Sequence, residues 1–599
     1  MTVTKAAITL ALGLAVRRVA VVAAATLWLA TCADAGPAPV MQASMQPQPE
    51  PPPPDRVAPR EIRSPLGSYL AGRLAHHEND TAAAVRYFSR ALAEDPENLD
   101  LLRQTYLAMH AEGRMFEAVT LARRVVEINP KSPIAALTLA IEAIRIDDLD
   151  AAHGYLNALP LDGYNNILVP VLRAWANVGR ERFDAAREAL KVLDERDALA
   201  AFRDFHVALI EDLAGNTTEA EQAYRSTLSA QPGGTYRAVA AFGSFLERNG
   251  RPEAALEVYE GFQAEHPDNV WLEPSFARVA SGQTPERTVR DGREGAAELL
   301  FGVASALLQQ NAFGAALLYA RAALHLRPGF DSAELLLSEI LGALERPAEA
   351  ISAYQAIPPD SPLHWSMRLR VAANLDELDR NEEAVAELRA MAAERPERTD
   401  ALLALGSLMR SKERWIEAVA AYDEAIARIA KPEERHWRAL YARGIALERS
   451  KQWQRSEQDF LKALELRPDE PYVMNYLGYS WVDKGVNLER ALKMIERAVE
   501  LRPNDGYIID SLGWALYRMG KFEDSVEQLE RAVELRPEDP TINDHLGDAY
   551  WRVGRRIEAR FQWRRALALE PEEEETVATI EVKILNGLSP SAAAADDGS

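Results

Sequence analysis

The stretch from Asp505 to Pro571 reads DGYIIDSLGWALYRMGKFEDSVEQLERAVELRP, ending at Pro537, then EDPTINDHLGDAYWRVGRRIEARFQWRRALALEP. The closing prolines, Pro537 and Pro571, lie 34 residues apart, and the two lines agree at spaced positions. Leu512, Gly513 and Leu516 fall over Leu546, Gly547 and Tyr550, while Ser525, Leu529 and Ala532 fall over Ala559, Trp563 and Ala566. Apolar residues three and four apart predict a helix on each side of a short turn. Helices joined so briefly cross closely, which puts small residues such as Gly513 and Ala532 at the crossing and large ones around it. Pro537 stops the second helix, because it has no amide hydrogen and disfavours a helical residue before it. The arginine preceding such prolines (Arg327, Arg467, Arg502, Arg536) sets a cation at the negative end of the helix dipole.

The unit recurs along the chain. Closing prolines run from Pro96 to Pro571, and an alanine column (Ala84, Ala118, Ala152, Ala186, Ala220, Ala255, Ala316, Ala350, Ala384, Ala418) marks the start of each second helix. One pair cannot bury its apolar face alone, so the units stack. The order of large, small and proline over this period resembles the tetratricopeptide repeat, and about fourteen units are expected. That resemblance implies an all-α, right-handed superhelical solenoid whose first helices line a concave groove. The family's groove-facing positions, carried onto the last three units, hold Tyr472, Asn475, Tyr479, Val482 and Asp483, then Tyr507, Asp510, Trp514, Tyr517 and Arg518, then Thr541, Asp544, Asp548, Trp551 and Arg552. Exposed aromatics interleaved with Asp and Arg suit recognition of a protein or an extended peptide. Packing between units by the same large rings is the alternative. Trp481, Tyr550 and Trp563 fall on packing positions and are expected in the core. The Lys and Asn clamp with which chaperone-binding members of the family hold a chain end is not reproduced.

Residues 1–31 read as a signal peptide of lipoprotein type. Lys5, Arg17 and Arg18 precede the apolar run Val19 to Ala30, which is too short to span a bilayer. Extending the run back to Ala6 would bury two arginines near its centre, at about 2.5 to 3.5 kcal/mol each. Cys32, the only cysteine, follows Leu29-Ala30-Thr31, which resembles a lipobox ending in a diacylglycerol-bearing cysteine; Thr31 departs from the pattern. Cleavage after Ala35 without lipid is the alternative. Residues 32–64 form a Pro-rich tether expected to be disordered, and residues 65–268 an N-terminal repeat array. Residues 269–294 are an irregular connection or a decayed repeat. Residues 295–571 form a C-terminal array, 572–588 a capping helix and 589–599 a disordered tail.

Composition and motifs narrow the function. The formal net charge is −23 with no offsetting basic stripe, which argues against nucleic acid as a partner. His76-His77-Glu78 lacks metal-ligand spacing, so no metal and no cofactor is expected. No glycine-rich phosphate loop, Gly-x-Ser-x-Gly elbow or His-Glu-x-x-His occurs, so the chain reads as a non-enzyme. The layout resembles a family of bacterial outer-membrane lipoproteins with many such repeats, most strongly from Tyr472 to Leu569 in NYLGYSWVDKG, DSLGWALYRMGK and DHLGDAYWRVGR. The resemblance implies an adaptor that brings a periplasmic carboxyl-terminal processing protease to peptidoglycan (cell-wall) hydrolases, touching the membrane through its lipid anchor only. The alternatives are a scaffold for a pilus, secretion or polysaccharide export assembly and, if the N-terminal segment stays uncleaved, a cytoplasmic scaffold. For the anchor, Cys32→Ser is expected to move the protein from the membrane pellet to the soluble periplasmic fraction. An unchanged pellet, or a mature chain starting at Gly36, overturns the lipoprotein reading.

Overall fold

The computed structural model describes residues 64–194, 199–230, 234–267, 269–571 and 574–588. The signal segment, Cys32, nearly all of the tether and the tail lie outside the described residues. Among the described residues there are thirty α-helices and no strand.

The pair Gly506–Arg518 and Phe522–Leu535 shows how local chemistry makes one unit. Asp505 caps the first helix, its Oδ1 accepting from the amides of Tyr507 and Ile508 at 3.1 and 3.4 Å. The turn is made at Gly520, whose φ of 77° lies in the left-handed region. At the crossing a Cβ on Gly513 would sit 2.5 Å from Leu529 Cγ, so the helices could not approach as they do with any larger residue. Ser525 Oγ donates to the Gly513 carbonyl at 2.7 Å, and Leu529 and Ala532 are fully buried. Arg536 caps the second helix through its own amide to the Ala532 carbonyl (2.9 Å), and its guanidinium lies 5.1 Å over the Tyr507 ring. Arg502 lies over Tyr472 and Arg467 over Trp437 in the same way. The recurrent arginine therefore ties the end of each of these repeats to its own beginning, a role beyond the dipole.

Among the described residues fourteen such pairs run from Pro65–His77 with Thr81–Glu94 to Pro540–Arg552 with Arg556–Ala568. The helices Glu273–Ser281 and Glu574–Asn586 stand outside the pairs. The chain divides into two compact units between Ala384 and Val385. In the C-terminal unit Trp481, Tyr550 and Trp563 are core residues, as their packing positions predict. Their polar atoms are satisfied there: Trp481 Nε1 donates to Glu457 (2.6 Å), Trp563 Nε1 to Asp548 (2.9 Å) and the Tyr550 hydroxyl to Glu530 (2.7 Å).

The N-terminal unit departs from a stack in which each repeat touches only its neighbours. The pair Gly292–Gln309 and Phe313–Leu326 packs against Leu99–Ala111, Pro133–Arg145, Asn165–Val178 and Ala200–Ala214, the first helices of four earlier pairs. This unit closes on itself, so the expected solenoid, in which units stack on their neighbours, is corrected here and kept for the C-terminal unit. There, Ala532→Phe is expected to overpack its crossing at a cost of about 1–3 kcal/mol. Hydrogen exchange should show the loosening confined to adjoining repeats; a uniform loss of protection along the chain would refute local coupling.

Candidate functional site

Tyr472, Asn475 and Tyr479 share one face of the helix Pro471–Asp483 by their spacing, and all three are half-buried. Asn475 Oδ1 is buried with no hydrogen-bond partner. The Tyr479 hydroxyl is pushed up to about 12, by burial first and then by the carboxylates of Asp510 and Asp483. Arg518 is exposed and donates to the Asp483 carbonyl at 3.2 Å; Val482, placed with this row by the repeat pattern, is fully buried instead.

An aromatic stripe open to solvent is not what the next helices form. Trp514 lies flat between Tyr517 (4.9 Å, 7°) and the His545 imidazole (4.1 Å, 15°). Arg552 Nε donates to the Tyr517 hydroxyl at 3.1 Å, and Asp510 is buried 2.9 Å from His545 Nδ1. Burial works against charge on His545, but Asp510, with Asp544 and Asp548, outweighs it and raises its pKa. Trp514 and Tyr517 are thus half-buried inter-repeat contacts, and the expectation of an exposed stripe there is corrected. The physical reason is the stacking step: side chains on one first helix meet those 31 to 35 residues on, along the next first helix.

The last repeat is covered by the chain's own final helix. Lys583 Nζ lies 2.7 Å from Asp544 and 2.9 Å from Asp548. Asp548 is buried, and its pKa is raised by burial and then by Asp544, Lys583 acting against both. Gly587 packs on the Trp551 ring so closely that a Cβ would overlap it, and Arg556 and Arg560 lie over the ring at 5.2 and 5.0 Å. Asp544, Asp548 and Trp551 are therefore engaged within the chain, another correction to the open groove. Of the row, Asp483, Arg518 and Thr541 are exposed, Val482, Asp510 and Asp548 are buried and the rest are half-buried; Tyr472, Asn475 and Tyr479 form its half-buried part on the helix Pro471–Asp483.

The corresponding inner face of the N-terminal unit, which the sequence reading did not single out, is filled by the pair Gly292–Gln309 and Phe313–Leu326. His110 Nε2 donates to the Leu318 carbonyl (3.0 Å), Glu142 accepts from Arg145 (2.7 Å) and meets His325 (2.8 Å), and Tyr164 donates to Gln310 (2.9 Å). Arg237 pairs with Glu298, and Arg346 with Glu112 at 3.4 Å. Any Cβ on Gly292 or Gly295 would overlap Trp175, which itself donates to His206 Nδ1 at 3.2 Å. A signal for this closure was present: PIAALTLAIEAIR (Pro133–Arg145) is apolar all round and buried from Ala135 to Ile144, as a helix covered on every side must be.

Among the described residues no group of three or more His, Cys, Asp or Glu is placed to hold a metal, and no helix is long and apolar enough to cross a membrane. The closed face does contain titratable groups of consequence. Burial lowers His110 from its ordinary 6.5 to about 4 and His206 to about 3, so both are neutral when folded. A histidine that binds its proton more weakly folded than unfolded contributes full stability above pH 6.5. It loses that contribution as pH falls toward its folded pKa. Between pH 7 and 4 His110 alone is expected to withdraw about 3 kcal/mol. Urea melts of His110→Gln, which keeps a donor toward Leu318, should show a shallower acid dependence; an unchanged slope refutes the assignment.

Three family models match the chain: "TPR repeat" at residues 513–554, "Tetratricopeptide repeat" at 437–470, and a second model described as "Tetratricopeptide repeat" at 69–133 and 214–270. No curated protein matches the sequence. Among solved structures, the APC/C hetero-tetramer Cut9-Hcn1 is similar at 14% identity, with 87% of this chain and 96% of that chain covered and a TM-score of 0.36. A tetratricopeptide repeat protein from Parabacteroides merdae is similar at 16% identity, covering 43% and 99%, with a TM-score of 0.35. YrrB, described as a TPR protein with an unusual peptide-binding site, is similar at 21% identity, covering 32% and 97%, with a TM-score of 0.26. The matched stretches are tetratricopeptide repeats, and the described residues form an all-α array of helix pairs.

Proposed function

We propose that the chain is a non-enzymatic scaffold of the bacterial cell envelope, an outer-membrane lipoprotein adaptor that gathers a periplasmic protease and its peptidoglycan hydrolase substrates. Repeats of this family mediate protein–protein interaction, and the C-terminal unit offers a surface for it. The observation that carries the reading is Asn475: a buried amide oxygen without a donor, on one helix face with the half-buried rings of Tyr472 and Tyr479. A buried acceptor left unpaired costs about 1–3 kcal/mol, which a donor from a docked protein segment would recover. Rings beside it supply the apolar contact that commonly dominates interface energy. The acidic net charge and the absence of catalytic motifs in the sequence accord with a carrier of proteins rather than a catalyst. Envelope localisation rests on the N-terminal segment and Cys32.

The test is affinity purification of the tagged full chain from solubilised membranes, with the bound proteins identified by mass spectrometry. A periplasmic protease and cell-wall hydrolases are expected, reduced at least about tenfold by Asn475→Ala with Tyr479→Ala, at unchanged helicity, as loss of roughly 1.4 kcal/mol would give. Capture of pilus, secretion or polysaccharide export components instead would move the chain to the alternative scaffold class. Unchanged capture by the double variant would remove the row from the binding surface.

A further inference from the structure

Between the helices Glu273–Ser281 and Gly292–Gln309 the chain runs without helix through residues 283–291. A connection of this length could lie free on the surface; this one is fastened to the inner face of the N-terminal unit. Ser244 Oγ, on the first helix Tyr236–Arg248, donates to the Glu286 carbonyl at 3.0 Å. The Arg287 guanidinium lies 3.6 Å from Asp212, on the first helix Ala200–Ala214, whose carboxylate also holds Arg248. Arg327 donates to the Thr288 carbonyl at 3.2 Å. Val289 is buried to 2% exposure, while Gln283, Thr284, Glu286, Arg287 and Arg290 stay exposed. Main-chain carbonyls are bound by side chains of the wall, one cation is met by a wall carboxylate, and one β-branched side chain is sunk. This is how an extended peptide is held, and here the peptide is the chain itself.

We propose that residues 283–291 are an autoinhibitory strap: a built-in occupant of a site, formed around Asp212 and Ser244, for an extended segment carrying an arginine and, two residues on, a β-branched apolar residue. The partner that fits is a protein segment of that chemistry, and it binds by displacing the strap. The exposed side chains along most of the strap make it the part of the closed face that leaves at least cost, since the helices that follow are deeply buried against Trp175 and its neighbours. The site belongs to the N-terminal unit and stands independently of the Tyr472–Arg518 row.

The test uses the full chain with residues 283–290 replaced by a Gly/Ser segment of equal length, and a fluorescently labelled synthetic peptide of the sequence QTPERTVRD. The peptide is expected to bind the replaced chain at least about tenfold more tightly than the unaltered one. A peptide with glutamate at the Arg287 position and aspartate at the Val289 position should bind neither. Binding of the intact peptide to neither protein, or equally to both, overturns the proposal. Should the replaced chain lose its helicity, Arg287→Ser with Val289→Ser, which keeps the backbone, serves in its place with the same readout and the same refuting outcomes.

Discussion

Two crossed helices cover only part of each other, and the apolar face left over must be covered by something else. The close crossing at Gly513 and Leu529 makes a unit, but it also turns the flanks of that unit outward as apolar surface. In the C-terminal unit each flank passes to the next repeat, through Trp514 on His545 and Tyr517 on Arg552, until the final helix Glu574–Asn586 takes the last one. That helix needs an electrostatic hold as well as an apolar one. Lys583 supplies it by sitting between two carboxylates that would otherwise repel each other in a buried place.

The N-terminal unit meets the same constraint by closure. Its first helices carry apolar residues on the inner side too, and the pair Gly292–Leu326 covers them from within. The contacts join residues about two hundred positions apart, such as His110 with Leu318 and Glu112 with Arg346. Opening that face exposes several helices at once, whereas a break in the C-terminal stack reaches only its neighbours. The two halves of one repeat array are therefore different mechanical objects.

Much of this was legible from the sequence, and the limits have a physical origin. A recurring period reports what a residue meets in its own unit and the next one. Gly513, Ala532, Trp481 and Trp563 were placed correctly because their partners lie within that reach. Position within the repeat did not reveal how much of a ring a neighbour would cover, so Trp514, Tyr517 and Trp551 looked freer than they are. Closure was hidden more deeply, because no period links Trp175 to Gly295; only the all-round apolarity of Pro133–Arg145 and the gap before Gly292 hinted at it. The arginine before the closing proline was read as a dipole partner, and its stacking on Tyr507 or Tyr472 needed the folded turn to bring the repeat's two ends together.

Coverage also sorts which polar groups can still act on a partner. Where the chain covers its own inner face, the charges are consumed in pairs: Glu142 with Arg145 and His325, Arg237 with Glu298, Lys583 with Asp544 and Asp548. A group so paired offers a partner little, since binding would first break a desolvated contact. The amide oxygen of Asn475 is buried with no protein donor, as is Asp544 Oδ1 beside its ion pair. Desolvation that folding has already imposed is not charged again on docking, so a donor arriving there gains nearly the whole hydrogen bond. Receptive points of the C-terminal row are thus set less by how exposed its rings are than by which buried atoms the stacking left without a mate.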